Sequence, residues 1–297
     1  MTLEEALLLK DGRYDDIDET TYHSLPYVSS TYLRKLANNP AEAAIPFKPS
    51  ASMVIGSAVH KIALEGPAAF EESYFCMPDI PHHKNSNAYK EEFYILQQAA
   101  EGKEIVDSTQ LEIILGCTKS VMEHPVSRRL LGPTLGKPEV SIIFTDPITG
   151  LRGKARVDRL PDPRMKFAID LKTSADASLL GFGRSITKYG YATQAAYYLH
   201  ALRMAGVEAE NFVFVVVETK PPYQVLTGML DPTYLEYGFQ TVNRLLGIEK
   251  ECRELGFYPN VQIPGHISSL YEIYNTDGTI KNDQDLFEIF EMPKWIA

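Results

Sequence analysis

The sequence predicts an α/β fold with a central mixed β-sheet flanked by helices, and three observations predict it. Between residues 138 and 172 the apolar period is close to two, as in consecutive strands joined by hairpin turns. Residues 212–217 (FVFVVV) form an unbroken apolar run closed by Glu218 and Lys220-Pro221-Pro222, as expected of a strand covered on both faces. Segments of helical period at 186–205 and 231–255 flank that run.

Residues 1–50 read as a lead-in of mixed character. Within it Ser29-Ser30-Thr31 can cap a short helix that Pro40, Pro46 and Pro49 would end. Residues 51–66 are rich in Ala and aliphatics, close on Gly66-Pro67 and read as a buried helix. Residues 68–135 mix helical segments with a polar loop. Its His82 and His83 lack a nearby acid or cysteine at a ligand spacing and read as surface residues. A meander follows: a strand from Pro138, the turn Asp146–Gly150, a strand to Leu160, the turn Pro161-Asp162-Pro163, and a strand through Lys172. The helix over 186–205 stops at Gly206, residues 223–230 form another strand, and the helix over 231–255 carries a proline in its first turn. The tail is acidic with interleaved aromatics, placed to cap the core or mediate assembly. No repeat or low-complexity linker divides the chain, so 1–297 reads as one domain with a core over about 52–255 and an acidic tail over 256–297.

Hydrophobic content of 44% and charged content of 23% are ordinary for a soluble globular chain, and no apolar run approaches a membrane span. The acidic N-terminus lacks the basic and apolar regions of a signal peptide. Three scattered cysteines suggest neither a disulfide framework nor a metal knuckle and fit a reducing cytoplasm. A formal net charge of −10 argues against an indiscriminate nucleic-acid coat. Residues 151–190 nevertheless carry nine Lys/Arg against four Asp. Two readings stand for Arg152, Lys154, Arg156, Arg159 and Lys188: phosphate contacts in a groove for a polyanion, or strand-edge charges that discourage aggregation.

The chemistry concentrates in the meander. Asp170 and Lys172 are two apart and share one side of a strand, and the preceding turn would return the chain so that Asp158 lies beside them. Two converging carboxylates make a hard oxygen site for Mg²⁺ or Mn²⁺, and a neighbouring ammonium can meet a phosphate or an attacking water. Short motifs of this kind also occur as solvated ion pairs, so the rest of the chain has to support the reading. His60 follows Gly56 by one turn in an apolar helix. It reads either as a core histidine or as an added ligand beside oxygens. Glu139 opens the meander and reads either as a further ligand or as a solvated acid. Gln194 and Tyr198 share a helix face and can hydrogen-bond a phosphate or a water, whereas Tyr197 reads as filling the helix–sheet interface.

The order Gly56-x-x-x-His60, Glu139, Gly153-Lys-x-Arg-x-Asp158, Asp170-Leu-Lys172-Thr-x-x-Asp176, Gln194-x-x-x-Tyr198 resembles the PD-(D/E)XK nuclease superfamily, within it the exonuclease VIII (RecE-type) nuclease domain. The resemblance runs from the short helix at 29–40 to about residue 230. It implies a PD-(D/E)XK nuclease-like core in which His60, Asp158, Asp170 and the Leu171 carbonyl bind metal. Glu139 would be a further ligand, Lys172 the catalytic lysine, and Gln194 and Tyr198 would complete the site. It further implies a Mg²⁺-dependent exonuclease acting on double-stranded DNA ends from 5′ to 3′ and leaving 3′ single strands for an annealing recombinase. A ring-like homo-oligomer, a tetramer being one form, is implied as well. Rival readings are another nuclease of the superfamily, or a DNA-binding or assembly protein on an inactive version of the fold. An iron–sulfur member needs four cysteine ligands, and a helicase-fused one needs a P-loop; the sequence supplies neither.

Overall fold

The computed structural model describes residues 1–46, 50–161 and 165–281. Strands run in the order β1 (Gly12–Tyr14), β2 (Tyr74–Cys76), β3 (Glu104–Val106), β4 (Gly136–Thr145), β5 (Arg152–Pro161), β6 (Phe167–Ser174), β7 (Asn211–Glu218) and β8 (Val225–Met229). Six of them form one mixed sheet in the order β1-β4-β5-β6-β7-β8, and β2 pairs with β3 in a separate parallel ribbon. The meander is present as predicted: β4, β5 and β6 are antiparallel neighbours. β6 and β7 are parallel, so the chain between them must cross over, and it does so through helices. The expected turn at Pro161-Asp162-Pro163 lies largely outside the described residues.

The helices are α1 (Leu3–Leu7), α2 (Glu19–Ser24), α3 (Ser30–Asn38), α4 (Pro40–Ala43), α5 (Ala51–His60), α6 (Pro67–Ser73), α7 (Asn87–Ala99), α8 (Ser108–Glu123), α9 (Pro125–Leu131), α10 (Leu179–Lys188), α11 (Tyr191–Met204) and α12 (Pro232–Leu255). The apolar run in β7 is covered on both faces. Phe212, Phe214 and Val216 enter a core shared with α3, α11 and α12, while Val213, Val215 and Val217 enter a second core shared with α5, α8 and α9.

Two helices differ from expectation. The segment 186–205 is not continuous: α10 ends at Lys188, and Gly190, at φ +63°, turns the chain into α11. Only a residue without a Cβ takes that conformation readily, so the break is written in Gly190. The segment 51–66 is α-helical only to His60 and continues as a π-turn over Lys61–Glu65, closed by Gly66 at φ +98°. Such turns recur at functional sites.

Residues 1–46, part of the expected lead-in, are built into the fold. β1 forms an edge of the main sheet, and the segment before α3 is stitched to β5. Val28 N–H donates to the Arg152 carbonyl, Lys154 N–H donates to the Val28 carbonyl, and Tyr197 Oη donates to the same carbonyl at 2.6 Å. Gly153 leaves room for the Phe144 ring and the Tyr197 hydroxyl, from which a Cβ would fall 2.3 Å and 2.8 Å. At the other end, Ile263, Ile267, Leu270 and Ile273 are buried in the α11–α12 core, so the described part of the tail caps that core.

Candidate metal centre and active site

The site forms where β5 and β6 part. The β5–β6 ladder pairs Arg159 with Ile169, and beyond that point the Leu171 N–H donates to Asp158 Oδ2 at 2.7 Å. A backbone donor that would otherwise bond a neighbouring strand is thus satisfied by a carboxylate, and the parted strands leave space around it. β4 contributes Glu139, which lies across from Asp158 because Pro138 faces Arg159 and Val140 faces Val157. Glu139 has φ +52°, a left-handed conformation that costs energy for a residue with a side chain and that clusters at functional positions.

α5 brings in His60. Its Gly56 packs so closely on β6 that a Cβ would sit 3.1 Å from Thr173 Oγ1. One turn later His60 Nδ1 lies 3.3 Å from Asp158 Oδ2. Single ligand atoms of His60, Glu139 and Asp158 fall within 4.8 Å of one another. Asp170, 1% exposed, stands behind this group. Its Oδ1 accepts a 2.8 Å hydrogen bond from Gln194 Nε2. Its Oδ2 meets the Lys172 ammonium as an ion pair yet accepts no aligned hydrogen bond. Lys172 also lies over the Tyr191 ring at 5.3 Å.

Electrostatics favour a cation here. Burial and then the Asp170 charge push the Asp158 carboxyl up to about 8, against the pull of Lys172. Burial and then Asp158 push Glu139 up to about 7, opposed by Arg156. Burial and then Lys172 hold the His60 pKa down, so its imidazole is neutral and able to ligate. Burial alone would lower Lys172, but Asp170 and Asp158 outweigh it and keep the ammonium charged. Carboxylates that resist ionisation beside a neutral imidazole fit a hard divalent ion. His60, Glu139 and Asp158 are the residues that would hold it; Asp170 lies outside this group, its two oxygens turned to Gln194 and Lys172.

A cavity of about 430 Å³ opens onto His60, Glu139 and Asp158, and Tyr198 lines it. Burial raises the Tyr198 hydroxyl pKa well above its usual range, so it serves as a donor. The sequence reading missed Tyr22, which also lines the cavity and lies 5.4 Å from the Arg156 guanidinium. It gave Tyr191 no place at the site beyond filling the helix–sheet interface, yet Tyr191 lies against Lys172. Tyr191 stands three positions before Gln194 and seven before Tyr198, on the helix face that the sequence assigned to the site, and that spacing was the available signal for it.

The basic zone needs correction. Lys154 Nζ donates to the carbonyls of Tyr22, His23 and Leu25, and burial lowers its pKa to about 8. Arg159, 2% exposed, donates to the carbonyls of Gly136, Leu64 and Leu131. Neither charge is available to a phosphate. Arg156 pairs with Glu139 at 2.7 Å, and Arg152 bonds the Leu9 carbonyl and faces Asp11. Lys188 is exposed on α10.

The family model for the PDDEXK-like domain of unknown function (DUF3799) matches residues 21–263. No curated protein sequence matches the chain. Among solved structures, one named "Putative exonuclease" from Eubacterium rectale superposes with a TM-score of 0.55 at 15% identity. That match covers 76% of this chain and 82% of the other. The structure of SSO0001 covers 63% of this chain and 84% of its own at 18% identity, with a TM-score of 0.26.

Proposed function

The chain belongs to the PDDEXK-like domain family, and from that premise we propose that it is a divalent-metal-dependent exodeoxyribonuclease acting on double-stranded DNA ends. The observation that carries the proposal is the meeting of Asp158, Glu139 and His60 beside the Asp170–Lys172 pair. When bound, Mg²⁺ or Mn²⁺ would supply Lewis-acid polarisation of the phosphate and a water of lowered pKa. The chain's own groups then have separate tasks. Asp158 and Asp170 would hold the ion, with the Leu171 carbonyl as a further ligand, and His60 and Glu139 would complete the ligand set. Gln194 fixes the orientation of the Asp170 carboxylate. Lys172 stays charged, so it orients the attacking water and offsets charge growing on the phosphoryl oxygens; it is not the proton-abstracting base. Tyr198 donates into the cavity.

The reading extends to 5′ to 3′ digestion that leaves 3′ single strands for an annealing recombinase, by a ring-like homo-oligomer enclosing the duplex, in the cytoplasm. Arg152, Arg156 and Lys188 remain in it as phosphate contacts; Lys154 and Arg159 do not. The test is digestion of linear duplex labelled at either end, with covalently closed circles in parallel. Release of the 5′ label first, with circles intact, is expected. Internal fragments from circles would make the protein an endonuclease, and early 3′ release would reverse the polarity.

A further inference from the structure

Beside the metal-centre cavity lies a larger one, of about 960 Å³ against about 430 Å³. Thr31, Arg34, Lys35 and Met53 line both, so the two are successive reaches of one groove along α3. The far wall is a face of α12, where Tyr234, Tyr237, Thr241 and Arg244 follow at helical spacing. α12 already commits its apolar side, including Val242, Leu245 and Leu246, to the core. Its two tyrosines are not needed there: Tyr234 is 40% exposed and Tyr237 62%. Near them the α10–α11 link adds Tyr189, with the Lys188 ammonium 5.1 Å from its ring centroid.

The lining carries an excess of cations. Among its described residues Arg34, Lys35, Lys188 and Arg244 face two acids, Glu42 and Asp231. Both acids accept local hydrogen bonds, Glu42 from Asn38 and Asp231 from the Thr233 N–H that it caps. Arg34 donates to the Tyr189 carbonyl and to Thr31 Oγ1, while its Nε is buried without a hydrogen-bond partner. Exposed rings beside cations are what single-stranded nucleic acid requires, because every base offers a π-face and every linkage a negative charge. A duplex would use the cations and leave the rings idle, since its bases are already stacked on one another.

We infer that this cavity seats a single-stranded tract of the DNA substrate continuous with the strand at the metal centre, its bases against Tyr234 and Tyr237 and its phosphates toward Arg34, Lys188 and Arg244. The identity of the polymer rests on the nuclease reading. A volume of about 960 Å³ lies at the top of the roughly 300–1,000 Å³ span of small-ligand sites, room for a few nucleotides but not for a duplex turn.

The experiment measures fluorescence anisotropy of labelled oligothymidine and of a blunt hairpin duplex with the full chain in chelator, where nothing is cut. The double variant Tyr234→Ala/Tyr237→Ala should weaken oligothymidine binding about tenfold or more and the duplex far less, with Tyr234→Phe/Tyr237→Phe within about twofold of the parent. Should the double alanine variant fold poorly, the single Tyr237→Ala variant, at the more exposed position, carries the comparison. Unchanged oligothymidine affinity in the alanine variants overturns the inference. So does an equal loss for oligothymidine and duplex, or a parent protein that does not bind oligothymidine. Cleavage of linear duplex with Mg²⁺ is scored separately. No cleavage alongside tyrosine-dependent binding would sink the nuclease reading and sustain the cavity assignment. Cleavage alongside tyrosine-independent binding would sink the cavity assignment alone.

Discussion

Asp158 Oδ2 accepts the Leu171 backbone N–H at 2.7 Å, so a carboxylate of β5 is held by the peptide unit that joins Asp170 to Leu171 in β6. This bond replaces a rung of the sheet, and it fixes Asp158 beside Asp170 without any intervening side chain. The position of one acid is therefore coupled to the backbone that carries the other.

Holding two buried acids together has a stability cost that an amide removes. Asp158→Asn keeps an oxygen to accept the Leu171 N–H and cannot ionise. In chelator its melting temperature should rise by roughly 2–4 °C, the scale of about 1 kcal/mol in a chain of this class. The rise that Mn²⁺ gives the parent should vanish. Differential scanning calorimetry with and without Mn²⁺ checks both; a metal-induced rise equal to the parent's would remove Asp158 from the ligand set.

The same groups set a pH dependence. In the fold Asp158 is raised from 3.8 to about 8 and Glu139 from 4.5 to about 7. Well below pH 3.8 both are protonated in either state and their stabilising contribution is full. As pH rises the unfolded chain ionises first, so the contribution falls, and it is gone once pH passes the folded values. Metal-free stability of the parent, relative to Asp158→Asn, should decline across that window. At pH 7 metal binding should release protons, seen as a calorimetric heat that changes with the buffer's ionisation enthalpy. A buffer-independent heat would contradict the raised values.

Lys172→Met should reduce kcat at least about 10²-fold, the scale for removing a preorganised electrostatic group, while metal binding persists. The variant should also melt lower in chelator, because Asp170 loses its buried partner, and metal should restore part of that loss. Metal binding lost with activity merely weakened would make Lys172 a structural counter-ion.

Lys154→Met tests the corrected role of the basic zone. Three backbone carbonyls lose their donor, so the melting temperature should fall. The slope of log DNA affinity against log salt should stay as in the parent, since no phosphate contact is removed. A slope shallower by about one would return Lys154 to the DNA interface.

The parts of this structure legible in the sequence are those governed by local period. Alternation over 138–172 marks β4 to β6, the apolar run marks β7, and the i to i+4 spacing of Gln194 and Tyr198 puts both on the α11 face turned to the site. The Asp170–Lys172 pairing follows from the period of a strand. What was not legible depends on partners far along the chain. The carbonyls that hold Lys154 come from residues 22–25, and those that hold Arg159 come from Gly136, Leu64 and Leu131. A run of cations therefore looks like a polyanion groove in the sequence, although two of its charges are consumed inside the fold. The role of residues 1–46 was hidden for the same reason: β1 and the Val28 contact are long-range pairings with β4 and β5.

Initial rates of linear-duplex hydrolysis over a Mg²⁺ titration, for the parent and Asp158→Asn in parallel, test the central claim most directly. The account predicts saturable turnover for the parent, its loss in chelator, and no turnover for Asp158→Asn at any Mg²⁺ concentration. Undiminished cleavage by the parent in excess chelator, or parental rates from Asp158→Asn, would contradict it.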